Sequence, residues 1–155
     1  MKHVFVLLIA FFVSSLGIAQ TANEELDLLQ ALYGKQKKEI VAGFIELGGT
    51  QKDAFWTLYD AYEAERKALG IQRINLIGAY AENYHNLDDD GTDVLVKEML
   101  KLVDKNDALI AKYYGKLKKK AGIKPAAQFV QIEHYLLSSI RSTVLEEIPF
   151  IGQLD

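Results

Sequence analysis

The loop of residues 86–92 has the residue types and the spacing of a calcium-binding loop. On that alignment Asn86, Asp88 and Asp90 take ligand positions one, three and five, and a glycine follows at position six. Position twelve is Lys97, where Ca²⁺ needs a bidentate glutamate. The alternative is a turn that leads into a helix N-cap, because Asp and Gly are common in such turns. The sequence favours the turn and keeps Asp88 and Asp90 only as candidate metal ligands.

Glu82 and His85 form a Glu-x-x-His pair, the spacing by which di-iron helical bundles bind their metal. Such bundles need a second pair, and the sequence has none. Both residues stay candidate ligands of a metal-responsive function. Serine, histidine and acidic residues do not recur in a triad-like or nucleophile-elbow context, and there is no cysteine for thiol chemistry. The sequence therefore predicts no catalytic residue, no cofactor and no enzyme.

One face of the longest predicted helix is the remaining candidate site. Phe55, Tyr59 and Tyr62 share a stripe at helical spacing, and Arg66 and Arg73, one heptad apart, lie within that stripe. One interpretation is a core seam, with arginine stems along apolar surface and their charged heads reaching outward. The other is a partly exposed amphipathic surface that binds unstructured chains. Burial in the core is the favoured interpretation, because apolar stripes at helical spacing are usually buried. Both interpretations hold if one flank of the stripe stays uncovered.

Four helices are predicted to position these residues. Periodicity and capping signals place them over residues 23–47, 51–85 and 92–121 and from Pro125 to just before Pro149. Thr50 is the predicted N-cap of the second helix, and Asp53 completes an acidic capping box. The short turn after residue 85 makes the second and third helices antiparallel, with Arg73 opposite residues 102–106 and Asn106 as its partner. The prediction is an all-α fold with a long central hairpin, which as a thin shape is expected to form a homodimer.

The N-terminus has the layout of a cleavable secretory signal. Lys2 precedes an apolar run over residues 4–13, and small residues lead up to Ala19. A helix of that run spans ~15 Å, about half of a bilayer core, which favours cleavage after Ala19 over a membrane anchor. Residues 20–155 are then one domain without a stable anchor. Its net charge becomes −4 instead of −3, because Lys2 is lost and no acidic residue goes with it, and this argues against nucleic-acid binding.

The start of the second predicted helix resembles a known family. The run of residues 50–56, followed by Tyr59, Tyr62, Glu63 and Arg66, is similar to the cap, Phe-Trp and Tyr-x-x-Tyr-Glu pattern of the Spy/CpxP-type superfamily of small periplasmic helical proteins. The resemblance extends from about residue 45 to residue 150.

The family's repeated Leu-Thr-x-x-Gln motif is degenerate in this chain. Residues 49–53 keep the Thr, and residues 87–91 keep only the Leu. Residues 126–133 resemble the closing helix of exported relatives. The motif mostly encodes a helix cap, so it specifies a fold more than a function.

The resemblance implies a periplasmic, ATP-independent protein that holds non-native envelope proteins or reports on them. Phe55, Tyr59, Tyr62, Arg66 and Arg73 are then the expected client-binding residues. Two alternatives stay open. One is a metal-responsive or metal-buffering protein, since the family includes zinc-linked members. The other is an adaptor that docks one fixed partner through its apolar Phe150-Ile151 tail.

Overall fold

Helices make up the regular structure of residues 34–151, the part of the chain that the computed structural model describes. Helix α1 covers residues 34–44, α2 Gln51–Asn83, α3 Asp89–Lys120 and α4 Ile123–Glu147, and a 3₁₀ turn, Tyr84–Asn86, follows α2. The all-α prediction is confirmed. The predicted signal peptide and the first part of the first helix lie outside the described residues. All contacts given below lie within one unit that begins at Gln36.

Helix α2 begins at the predicted residue, but the predicted capping box is wrong. Thr50 precedes the helix with φ −66° and ψ −15°, and its side chain makes no cap hydrogen bond. Instead, the backbone N–H of Gln51 donates to the carbonyl of Gly48 at 3.0 Å, and that of Lys52 donates to Gly49 at 3.3 Å. The first two N–H groups of α2 are therefore hydrogen-bonded by backbone carbonyls of a turn, and not by a threonine side chain.

Helix α3 begins at Asp89, three residues earlier than predicted. Asp88 is extended, with φ −82° and ψ 178°, and its Oδ1 accepts a hydrogen bond from the N–H of Gly91 at 2.8 Å. Asp89 and Asp90 lie in the first turn, where negative charge is favoured by the helix dipole. The loop of residues 86–92 is thus a turn followed by a capped helix start.

Helices α2 and α3 run antiparallel, and α4 runs parallel to α2. Lys112 reaches Glu65 at 2.6 Å, and Lys105 reaches Gln72 at 3.3 Å, so the paired positions move in opposite directions along α2 and α3. On the other side, Tyr62 contacts Glu133 and Tyr80 contacts Pro149, so positions on α2 and in α4 and the segment after it advance together. The axes of these three helices are therefore aligned over much of their length, and α3 runs in the opposite direction to α2 and α4.

The core lies at the end of the α2–α3 pair that is away from their connecting turn. There α1 lies against α2 and α4, and the buried side chains form one cluster: Val41, Ile45, Phe55, Tyr59, Tyr62, Leu109, Ile110, Tyr113, Leu117, Ala121, Ala126, Phe129 and Ile132. Toward the turn the helices bury far fewer side chains, among them Tyr80 and Leu95. The fold is therefore densely packed at one end and more open at the other.

The junction of α3 and α4 depends on one glycine. Gly122 has φ 100° and ψ 167°, a conformation that is essentially restricted to glycine. Helix α4 starts directly after it at Ile123. Pro125 is therefore the third residue of the helix, whereas it had been predicted to be the first. Pro125 is nevertheless in the first turn, where its missing N–H leaves no helix hydrogen bond unmade.

Candidate functional site

Three of the five predicted client-binding residues lie inside the core. Phe55 and Tyr59 are fully buried, and 1% of Tyr62 is exposed. The Tyr62 ring packs edge-on against Phe129 at 4.9 Å between ring centres, and Phe55 and Tyr59 stack at 6.1 Å. These rings form the seam between α2 and α4. In the folded protein these side chains are almost inaccessible from solvent, so the core interpretation of the stripe applies to these three residues.

Arg66, the fourth predicted residue, is part of a buried ionic network. Its Nε donates to Oε1 of Glu63 at 2.9 Å. The same Glu63 oxygen accepts from Nζ of Lys37 at 2.6 Å, and Lys37 also donates to Oε2 of Glu133 at 2.6 Å. Lys37 is 2% exposed and Glu133 is fully buried. Two cations and two carboxylates therefore balance one another among α1, α2 and α4.

Tyr62 extends this network through its hydroxyl group. The hydroxyl donates to Oε2 of Glu133 at 2.6 Å, and the Lys37 ammonium lies 5.1 Å from the centre of the Tyr62 ring. Burial, followed by the negative charge of Glu133, raises the pKa of Tyr62 far above its ordinary range. Tyr62 is therefore a hydrogen-bond donor that connects α2 to Glu133 of α4.

Lys37, Glu63 and Glu133 were not predicted from the sequence as members of this network. A signal for Glu133 was present, because it lies four residues after Phe129 and directly follows Ile132 on the apolar side of α4. A carboxylate on a buried face requires a hydrogen-bonded or charged partner. The identity of the partner could not be read, since Lys37 lies 96 positions away in the sequence.

Arg73, the fifth predicted residue, lines an apolar groove. We call this the Arg73–Arg141 groove; its volume is about 220 Å³, and it lies between α2, α3 and the last part of α4. Its lining residues are Arg73, Leu76, Ile77, Tyr80, Met99, Leu100, Leu102, Val103, Arg141, Val144, Leu145 and Ile148. Asn106 does not pair with Arg73 as predicted: no hydrogen bond joins the two side chains, and the Asn106 amide donates to the carbonyl of Leu102 at 2.8 Å.

The rim of this groove is apolar and open to solvent. Met99 and Leu145 are 43% and 49% exposed, and Leu100 is 61% exposed. Apolar side chains that are exposed singly are ordinary on protein surfaces, but here three line one groove. The groove therefore offers an apolar surface that can bind an apolar group.

The four candidate metal ligands are exposed and do not form a cluster. Glu82 lies near the end of α2, and the His85 ring contacts the Tyr84 ring at 3.7 Å between ring centres, with the two planes tilted by 37°. Asp88 is engaged as the N-cap of α3, and Asp90 is in the first turn of that helix. Within residues 34–151, no three His, Cys, Asp or Glu side chains are grouped so that they could hold a metal ion.

Comparisons with family models, curated proteins and solved structures found no match for this chain. None of the helices in its described part is both long enough and apolar enough to cross a membrane. The groove and its geometry are therefore the starting point for function.

Proposed function

We propose that this chain is an exported, ATP-independent protein that binds non-native envelope proteins in the periplasm, either to hold them or to report on them. The observation that supports the proposal is the solvent-open, apolar Arg73–Arg141 groove. Partly folded chains expose apolar side chains, and a groove of this kind offers apolar surface against which they can be buried. No catalytic step is part of the proposal.

The proposed contact surface differs from the predicted one. Of the five predicted residues only Arg73 lines the groove, and the core holds Phe55, Tyr59 and Tyr62. The proposal therefore places client contact at Met99, Leu100 and Leu145, on the rim of the groove. Low affinity suits this role, because release then needs no energy source.

Membership of the Spy/CpxP-type superfamily and a homodimeric state belong to the same proposal. Ile40 and Phe44 of α1 are 51% and 43% exposed, and a second copy is one way to cover them. Sedimentation at micromolar concentration tests the dimer. A monomeric mass would remove the dimer from the proposal and leave the groove in place.

Aggregation suppression tests the main proposal. Residues 20–155 are mixed, without ATP, with a heat-stressed or reduced client at near-equal molar ratio, and light scattering is followed. We expect strong suppression by the wild type. Unchanged scattering at several-fold excess of the protein would contradict the proposal.

A matched pair of variants on α3 locates the contact surface. Leu100 lines the groove and Val94 does not, yet both side chains are 61% exposed. We expect Leu100→Glu to weaken suppression because it puts a charge on the apolar rim, and Val94→Glu to leave suppression unchanged. Equal effects of the two variants would place the contact elsewhere.

The adaptor function is a second candidate, favoured by the segment after α4. Phe150 and Ile151 are 67% and 52% exposed, and the Tyr80 hydroxyl donates to the carbonyl of Pro149 at 2.7 Å, which positions the segment. This function predicts that pull-down recovers one stoichiometric partner and that deletion of residues 149–155 abolishes its recovery. Recovery of many substoichiometric proteins instead would favour the holdase.

A further inference from the structure

Arg73 and Arg141 both line the Arg73–Arg141 groove, and none of the described residues that line it carries a negative charge. Nε and Nη2 of Arg141 are shielded from solvent and make no hydrogen bond to any residue of the described chain. Burial, followed by the charge of Arg141, lowers the pKa of Arg73. Twelve residues line the groove, and none of them is acidic. A partly buried cation with no partner is costly, so this arrangement is complementary to an anion.

The groove is charged at one end and apolar at the other. Arg73 and Arg141 lie at the same level, because α2 and α4 run parallel and their contacts advance together from Tyr62 and Glu133 to Tyr80 and Pro149. From Arg73 to Tyr80 the groove follows α2 for about 10 Å. Beyond the arginines, that length is lined by aliphatic side chains of all three helices and by the Tyr80 ring. An occupant that fits would have an anionic head and an apolar tail.

We propose that the Arg73–Arg141 groove binds a single-chain aliphatic carboxylate, with its head between the two guanidinium groups and its alkyl chain against Leu76, Ile77 and Leu145. Guanidinium groups bind carboxylates through paired, charge-assisted hydrogen bonds. The volume of about 220 Å³ is below the usual ~300 Å³ minimum of drug-sized sites, and it matches one alkyl chain better than two. This inference does not depend on the proposed holding of non-native proteins.

Calorimetric titration of the exported chain with decanoate tests the inference. Decanol, which has the same chain without the charge, and decyl phosphate are titrated in parallel, with the two anions below their micelle concentrations and decanol below its solubility limit. We expect decanoate to bind at one per chain and decanol to bind at least tenfold more weakly. Equal affinity for decanol would overturn the inference, because the arginines would then contribute nothing. Tighter binding of decyl phosphate would overturn the choice of a carboxylate.

Removal of one guanidinium group gives the decisive comparison. We expect Arg141→Gln to raise the Kd for decanoate at least tenfold, with Arg73→Gln as a second variant in case the first does not fold. Lys101→Gln makes the same change of charge at an α3 residue that is outside the groove and has a side chain 59% exposed, and it should leave the Kd unchanged. An unchanged Kd in a folded Arg141→Gln or Arg73→Gln variant would overturn the inference.

Two further outcomes separate this inference from other occupants and from the proposed function. If the protein is a dimer that decanoate does not dissociate, and if the Arg141→Gln variant is a monomer, then a second copy fills the groove. That result would overturn the inference. Aggregation suppression by a protein that does not bind decanoate would overturn this inference alone. Decanoate binding without suppression would support it while contradicting the proposed function.

Discussion

At the scale of single residues, the buried contact between Lys37 and Glu133 connects α1 to α4 beside the core. Glu133 accepts from Lys37 and from the Tyr62 hydroxyl through the same oxygen, Oε2, both at 2.6 Å, while Oε1 has no hydrogen-bond partner among the described residues. A buried ion pair adds little net stability relative to an apolar pair, but loss of one partner leaves the other charge uncompensated. The network joins α1, α2 and α4, and Lys37, Glu63 and Glu133 each have a charged partner in another helix.

The first prediction concerns Glu133→Gln, which keeps the shape of the side chain and removes its charge. We expect a loss of about 3 kcal/mol in the free energy of unfolding, the lower part of the range for a broken buried pair, since Lys37 keeps Glu63 as a partner. Urea unfolding measures it. Asp60→Asn is the control: its contact with Lys38 joins side chains 58% and 42% exposed, so the loss should be below about 1 kcal/mol. Similar losses in the two variants would contradict the prediction.

The second prediction concerns pH and Tyr113. Burial, followed by its hydrogen bond to Glu65 at 2.8 Å, raises the pKa of Tyr113 to about 12, whereas an unfolded tyrosine titrates near 10. A raised pKa means that the folded chain holds this proton more tightly. The resulting stability is complete below about pH 10 and is lost as pH rises toward 12.

Comparison of the wild type with Tyr113→Phe isolates this effect from other groups that titrate at alkaline pH. The difference in their free energies of unfolding should shrink between about pH 10 and 12, because only the wild type loses the Tyr113 contribution. Denaturant unfolding at several pH values measures it. A difference that stays constant over this interval would show that Tyr113 keeps an ordinary pKa.

At the scale of elements, the junctions are set by different physical means. Helix α2 starts from a backbone turn, α3 from the Asp88 side chain, and α4 from the backbone of Gly122. Each junction determines where the next helix starts and in which direction it runs. Of the three, the Gly122 junction has the strictest residue requirement, because a residue with a side chain adopts φ 100° and ψ 167° only with strain.

The third prediction therefore concerns Gly122→Ala. We expect a loss of about 1–3 kcal/mol in the free energy of unfolding, the usual cost of holding an L-residue in this conformation. Gly78→Ala is the control within the exposed part of α2, where an added Cβ meets nothing within 4 Å. It should gain roughly 0.5–1 kcal/mol from helix propensity. A neutral or stabilising Gly122→Ala would show that the α3–α4 junction is not constrained in this way.

At the scale of the whole molecule, the buried apolar side chains of the described residues are unevenly distributed. The buried aromatic and aliphatic cluster lies at one end of the α2–α3 pair, and the Arg73–Arg141 groove lies nearer the turn. Regions with few buried apolar contacts open at a lower free energy than the core. We therefore expect the part of the molecule that contains the groove to open more readily than the core, as is common for binding regions.

The fourth prediction is a gradient of amide hydrogen exchange along α2. Amides of residues 55–66, beside the core, should exchange about tenfold or more slowly than those of residues 74–83 in the same helix, after correction for sequence. Both stretches are helical, so secondary structure does not account for the difference. Exchange measured by NMR or mass spectrometry tests this. Uniform protection along α2 would mean that the helix opens as one unit.

The sequence by itself determined the helical class and most of the helix positions. Apolar residues at helical spacing, prolines only near α4, and Gly and Asp at the turns all act locally, so their effects can be read along the chain. The errors were local too: a backbone turn replaced the Thr50 cap, and the Asp88 cap started α3 earlier than predicted. The cellular location and the binding partners of the protein are not encoded in these helix patterns, and both stay predictions.

Only the tertiary structure decided which residues of the predicted stripe are buried. Along α2 one face contains both Tyr62 and Arg73, but Phe129 of α4 covers the first, and the second borders an open groove. The pairing of Lys37 with Glu133 and the approach of Arg73 to Arg141 likewise join distant positions. Burial and charge pairing depend on neighbours that chain folding brings together, and periodicity within one helix contains no information about those neighbours.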